Sequence, residues 1–135
     1  MLLYAVTKFI AYGAWCLVGL RLFAPARASV VSSLKYGSLR WLLGLFFGLV
    51  VGVALGSVSK ESVTTLYFGV YIPLRIVEWG IMAIVIRRFA TSGTASLGGA
   101  RIWLWIIGGI VVSFLSDIAS PEGMAGRFCV GRCLC

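Results

Sequence analysis

Residues 41–58 read WLLGLFFGLVVGVALGSV, an apolar stretch without a charged side chain. Glycine recurs in this stretch at every fourth position, at Gly44, Gly48, Gly52 and Gly56. In a soluble helix each interior glycine costs roughly 1 kcal/mol relative to alanine. In a lipid bilayer the backbone must stay helical to satisfy its own hydrogen bonds, and the glycines then provide a flat face for close packing of another helix. The stretch therefore predicts a membrane-spanning helix with a glycine-zipper packing face.

The composition of the whole chain also points to a membrane protein. Apolar residues make up 61% of the 135 residues, charged residues make up 12%, and the mean hydropathy is +1.04. So few charges do not coat a water-exposed globule of this size. The formal net charge of +8 is spread between the apolar stretches rather than gathered in one patch. We therefore attribute it to membrane topology and to anionic lipid headgroups, and we expect no nucleic-acid partner.

Four stretches are long and apolar enough to cross roughly 30 Å of hydrocarbon. They cover about residues 2–22, 41–58, 63–86 and 102–119. The predicted fold class is an all-α integral membrane protein, a compact bundle of four transmembrane helices within residues 1–120, followed by a cysteine-containing tail at 121–135. We interpret the first connection, residues 21–40, as an ordinary linker with boundary anchors. The alternative is a short interfacial helix lined by Val30, Val31, Leu34 and Leu39.

The distribution of lysine and arginine predicts the orientation of the bundle. Seven basic residues lie in or beside the first and third connections: Arg21, Arg27, Lys35, Arg40, Arg87, Arg88 and Arg101. Four belong to the opposite side: Lys8, Lys60, Arg127 and Arg132. Because cytoplasmic loops carry an excess of basic residues, we expect both termini outside the cytoplasm, in a plasma membrane or a bacterial inner membrane.

The third stretch contains polar residues at helical spacing. Arg75 and Glu78 are three residues apart and share a helix face, and Tyr71 precedes Arg75 by four. Pro73 lacks an amide donor and predicts a kink beside them. In one interpretation Glu78 is a proton or cation site that Arg75 holds or neutralises. In the other, the two residues form a self-neutralised pair that fixes how the helices meet.

The fourth stretch carries a second stripe of small or polar residues, Gly109, Ser113 and Asp117. Gly109 permits close packing, and Ser113 is able to bond to a neighbouring helix. Lys8 approaches the same side of the bilayer as Asp117 in the predicted topology. We therefore hypothesise a contact between Lys8 and Asp117. A solvated or plainly structural role for each residue is the alternative.

The tail holds three cysteines, Cys129, Cys133 and Cys135. In an oxidising compartment one disulfide would leave a single thiol for cross-linking to a partner. Three thiolates are also soft-metal ligands, but the spacing lacks a paired CxxC motif and the chain has no histidine, so we expect no metal site. In a cytosolic tail, the last three residues resemble the doubly prenylated CxC ending of small membrane-trafficking GTPases. A disordered tail with incidental cysteines remains an alternative.

The residue types present do not favour catalysis. The chain has no histidine and four carboxylates, and it carries no phosphate-binding loop or nucleophile elbow. We therefore expect a non-enzymatic protein without a cofactor. The predicted function is that of a structural or accessory subunit that docks through the glycine-rich face onto a copy of itself or onto a larger membrane complex. The alternative is a small homo-oligomeric channel or transporter that uses Arg75 and Glu78.

Overall fold

The computed structural model describes residues 2–55, 67–90 and 99–119, all within or beside helices. Four of these helices are long and apolar enough to cross a membrane. The described elements are α1 (Leu2–Phe23), a 3₁₀ turn (Pro25–Arg27), α2 (Val30–Leu55), a π turn (Tyr67–Tyr71) that leads into α3 (Ile72–Ala90), and α4 (Gly99–Ile118).

The second helix begins much earlier than the sequence pattern predicts. It begins at Val30 rather than at Trp41, so the interpretation of residues 30–40 as an ordinary linker is wrong. The reason is local: the Ser29 hydroxyl oxygen accepts a hydrogen bond from the Ser32 amide at 3.1 Å, as an N-cap residue does. Pro25 begins the 3₁₀ turn that follows α1, where a missing amide donor costs little.

Helices that follow one another in the chain run antiparallel, which gathers basic residues at one end. Tyr4 near the start of α1 contacts Asp117 near the end of α4, and Trp15 contacts Trp105 farther along. The end of α1 therefore lies beside the start of α4. The start of α2 and the end of α3 lie at the same end, because Arg27, Lys35 and Val85 line one groove. We call this end the basic end, because it carries six exposed cations: Arg21, Arg27, Lys35, Arg87, Arg88 and Arg101.

Tryptophan side chains that pack against glycines join α1, α3 and α4. Trp15 Nε1 donates to the Trp105 carbonyl at 3.1 Å, and Trp105 Nε1 donates back to the Trp15 carbonyl at 3.3 Å. A Cβ built at Gly19 would lie 2.6 Å from the Trp105 indole, and one at Gly109 would lie 2.5 Å from the Trp79 indole. A Cβ at Gly108 would overlap the Trp15 indole in the same way. These glycines make room for aromatic rings rather than for a smooth helix crossing.

A close backbone approach joins α1 and α2. A Cβ at Gly37 would come within 2.8 Å of the Gly13 Cα atom, and backbone atoms are unable to move aside cheaply. Neither glycine belongs to a repeat at four-residue spacing, so the sequence pattern gave no signal for this crossing. It is nevertheless the kind of small-residue contact that lets two helices approach closely.

The third helix departs from regular α geometry at its start. The π turn ends at Tyr71, two residues before Pro73, where the sequence predicts a disturbance. Prolines and π turns are both recognised causes of helix bending. The π turn places the Tyr71 hydroxyl within reach of Arg75, one turn farther along α3.

Candidate functional site: a buried ionic cluster

Five ionisable side chains from all four helices meet inside the described bundle. None is more than 8% exposed. They are Lys8 from α1, Arg40 from α2, Arg75 and Glu78 from α3, and Asp117 from α4. We refer to these five residues as the ionic cluster. Ionisable groups in such a setting are expected to be paired with one another, and this is what the structure shows.

Glu78 is held by two arginines. Arg40 Nη2 lies 2.5 Å from Glu78 Oε2, and Arg75 Nη1 lies 3.3 Å from the same oxygen. The pair within α3 is therefore the one expected from the spacing of Arg75 and Glu78. The contact with Arg40 was not expected, because the sequence pattern places Arg40 in the linker between the first two apolar stretches.

The correction to Arg40 follows from the early start of α2. Ser33, Gly37 and Arg40 are spaced by four and three residues, so they share one face of the helix, and all three are buried. That face turns toward α1 and α3. Arg40 is 0% exposed and does not belong to the basic end, so six rather than seven described basic residues lie there.

Asp117 is held by a second pair of cations. Lys8 Nζ lies 2.5 Å from Asp117 Oδ1, so the contact hypothesised between α1 and α4 is present. Arg75 Nη2 lies 3.6 Å from Oδ2, and the Tyr4 hydroxyl donates a hydrogen bond to Oδ1 at 2.9 Å. Asp117 is 8% exposed, so the alternative of a fully solvated carboxylate is wrong.

Arg75 is the centre of the ionic cluster. It contacts both carboxylates, and its guanidinium also donates to the Tyr12 hydroxyl at 3.0 Å and to the Tyr71 hydroxyl at 2.8 Å. The stripe predicted on α3 therefore brings Tyr71 and Arg75 together. Tyr4 and Tyr12 were missed, because their role depends on how α1 is rotated against its neighbours.

Arg40 is enclosed but incompletely hydrogen-bonded. Its guanidinium carbon lies 4.8 Å from the Tyr12 ring centroid and 4.9 Å from that of Trp79, at cation–π distance. Its Nε and Nη1 atoms are buried and have no hydrogen-bond partner within the described residues. Two donors of a charged group are thus enclosed by aromatic faces rather than by acceptors.

The glycines of the predicted packing face have different surroundings. A Cβ at Gly44 would lie 3.2 Å from Arg40 Nη1 and 3.9 Å from Glu78 Oε1, so Gly44 faces the ionic cluster of its own chain. Gly48 and Gly52 lie farther along α2, and Gly48 is half-buried. Gly56 falls outside the described residues. The glycine face as a whole remains a prediction.

The remaining predicted residues divide between α4 and the tail. Ser113 Oγ accepts a hydrogen bond from Trp79 Nε1 at 3.2 Å and donates to the Gly109 carbonyl at 2.9 Å, which joins α3 to α4. The tail cysteines Cys129, Cys133 and Cys135 lie outside the described residues, so the predictions about them remain predictions.

The ionic cluster holds the four helices together through charge. It contains three cations and two carboxylates, and each carboxylate contacts two of the cations. One positive charge is therefore in excess, and both carboxylates are already engaged.

Comparisons of the chain with protein-family models, with curated proteins and with solved structures find no match.

Proposed function

We propose that this chain is an integral membrane protein that acts as a non-catalytic structural or accessory subunit. The observation that carries the proposal is the placement of Glu78 and Asp117, each between two cations. Carboxylates engaged in this way are poorly disposed to bind a solute cation. Breaking a buried ion pair is strongly destabilising, so such a cluster serves well to hold four helices in one arrangement.

The second helix supplies the surface for docking. Only 11% of its apolar span is buried, compared with 28–33% for the other three helices. Its outer side presents Leu42, Phe46, Leu49 and Val53, which are 55–77% exposed. A partner helix, from a copy of this chain or from another subunit of a membrane complex, would bury this side of α2.

The glycine repeat winds toward that open side. Four residues of an α-helix turn through about 400°, so each glycine is rotated by about 40° from the previous one. Gly44 faces the ionic cluster, and Gly52 is then turned by about 80° away from it. In this proposal Gly44 packs within the chain, and Gly52 reaches the edge of the side that a partner would cover.

The decisive experiment measures the mass and subunit composition of the particle purified in nanodiscs from its native membrane. The proposal predicts recovery in a fixed ratio with a second protein or as a defined oligomer. Gly52→Leu should disrupt this assembly. Gly80→Leu is the matched control, since no atom of the described residues lies within 4 Å of a Cβ at Gly80. A particle that contains one copy of the chain and no other protein would contradict the docking role.

A small channel or transporter is the second candidate, because the ionic cluster carries an excess positive charge and two donor atoms of Arg40 have no partner among the residues that the structure describes. Both features suit a path for a polar solute across the bundle. In this case Glu78→Gln should leave assembly intact and abolish flux in proteoliposomes. Under the subunit proposal Glu78→Gln weakens the fold itself, so assembly fails before flux is measured.

A further inference from the structure

A groove of about 750 Å³ opens at the basic end of the bundle, between the 3₁₀ turn, the first turns of α2 and the end of α3. Its lining changes in character along its length. Arg27, Lys35 and Tyr36 line the part nearest the end of the bundle, and Leu39, Leu42 and Val85 line the part farther in. The groove is thus cationic and polar at one end and apolar at the other.

We propose that this groove binds an anionic phospholipid. The headgroup phosphate lies beside Arg27 and Lys35, and an acyl chain follows Leu39, Leu42 and Val85. The inference rests on the proposed membrane location and not on the proposed role as a subunit.

The dimensions of the groove fit such a ligand. Lys35 and Leu42 are seven residues apart on α2, which corresponds to about 10 Å along the helix axis. This is about the distance from the phosphate layer into the hydrocarbon region of one leaflet. Tyr36 lies between the two ends, and tyrosine is enriched at the boundary between headgroups and acyl chains.

The charge of the groove selects an anion. Among the described residues that line it there are two cations and no carboxylate. Arg88 lies three residues beyond Val85, on the same side of α3 and closer to the basic end. A second copy of this chain is a poor occupant of the groove, because it would bring one basic end against another. The amphipathic lining instead requires one molecule with an anionic head and an apolar tail.

Native mass spectrometry of the detergent-solubilised full chain tests the proposal. Phosphatidylglycerol and phosphatidylcholine with identical acyl chains are added in turn, and the bound fraction is titrated. We expect saturable binding that favours phosphatidylglycerol. Arg27→Gln combined with Lys35→Gln should weaken it by about 30-fold, since each cation near a membrane surface contributes roughly a factor of five.

Two further variants distinguish binding at a defined site from general electrostatic attraction between the cations of the basic end and an anionic lipid. Arg21→Gln combined with Arg101→Gln removes two exposed cations of the same end that do not line the groove, and it should change the affinity by less than about 3-fold. Leu42→Trp fills the apolar part of the groove without changing charge, and it should reduce phosphatidylglycerol binding. Equal losses in the two double variants, or unchanged binding in Leu42→Trp, would overturn the proposal.

The same samples reveal whether a different molecule occupies the groove. Glycerol phosphate at millimolar concentration should not displace the lipid; if it does, the groove binds phosphate alone and the lipid assignment is wrong. A dimer that Val85→Trp dissociates would show a second copy in the groove and would also overturn the proposal, since Val85 lines the groove and does not lie on the open side of α2. Recovery of the chain in the soluble fraction would instead refute the membrane location. Membrane recovery without lipid preference would refute this inference alone.

Discussion

Arg40 and Glu78 are 38 positions apart in the chain, yet Nη2 and Oε2 lie 2.5 Å apart inside the bundle, with the two side chains 0% and 2% exposed. This contact joins α2 to α3. Because Arg75 contacts the same carboxylate oxygen, the negative charge of Glu78 offsets the repulsion between two guanidinium groups.

Removing the negative charge at this position should destabilise the bundle. Glu78→Gln leaves the buried Arg40 without its carboxylate and leaves Arg75 with Asp117 alone, and we expect a loss of about 3–5 kcal/mol in the free energy of unfolding. Unfolding by titration with sodium dodecyl sulfate in mixed micelles measures the loss. The double variant Glu78→Gln with Arg40→Gln should lose less than the sum of the two single variants, since one unpaired cation is gone. Additive losses would show that the two residues do not interact.

The contact between Lys8 and Asp117 can be tested by reversing the two charges. Lys8→Glu and Asp117→Lys should each destabilise the protein, because each places like charges in contact. The double reversal should recover part of the loss, but not all of it, since a lysine at position 117 would lie beside Arg75. Thermal unfolding in detergent measures the stability of the two single variants and of the double variant. A double variant no more stable than either single one would show that the pair contributes nothing.

The tryptophan sites predict opposite outcomes for two glycine-to-alanine changes. Gly109→Ala places a methyl group 2.5 Å from Trp79 and should destabilise the bundle by about 1–3 kcal/mol. Gly80→Ala meets no atom of the part of the chain that the structure describes within 4 Å, and it should be neutral or stabilising by up to about 1 kcal/mol, because alanine favours the helix. The difference in the unfolding midpoint between the two variants is the measurement. Similar midpoints would mean that the indole moves aside at no cost.

The orientation of the bundle is tested at the two ends of α4. Ala100 and Ala119 are both exposed and lie at its opposite ends. In a chain with its four native cysteines replaced by alanine, Ala119→Cys should react with an impermeant maleimide added to intact cells. Ala100→Cys should react only after the cells are opened, since it lies at the basic end. The reverse pattern would invert the predicted topology.

The fold class and part of the ionic cluster are accessible from the sequence. Apolar length predicts four helices able to span a membrane, and the local spacing of Arg75 and Glu78 predicts their pairing. Topology alone brings Lys8 near Asp117, because the start of the first helix and the end of the fourth must lie on the same side.

The contact of Arg40 with Glu78 could not be predicted from the sequence in the same way. It depends on the rotation of α2 about its own axis, which is set by packing against α1 and α3. The nearby residues are of types that are common at a membrane boundary: Lys35, Tyr36 and Trp41. They therefore favoured a linker at this position over a continuous helix. The available signals were the N-cap at Ser29 and the face shared by Ser33, Gly37 and Arg40.

The seating of tryptophan against glycine constrains how this sequence is able to diverge. Indole and hydrogen are the two extremes of side-chain volume, so neither member of a pair such as Trp79 and Gly109 tolerates an independent change. A larger residue in place of the glycine collides with the ring, and a smaller residue in place of the tryptophan opens a void. Homologous chains should therefore exchange such residues in compensating pairs across α3 and α4, and that covariation would be the evolutionary record of this helix contact.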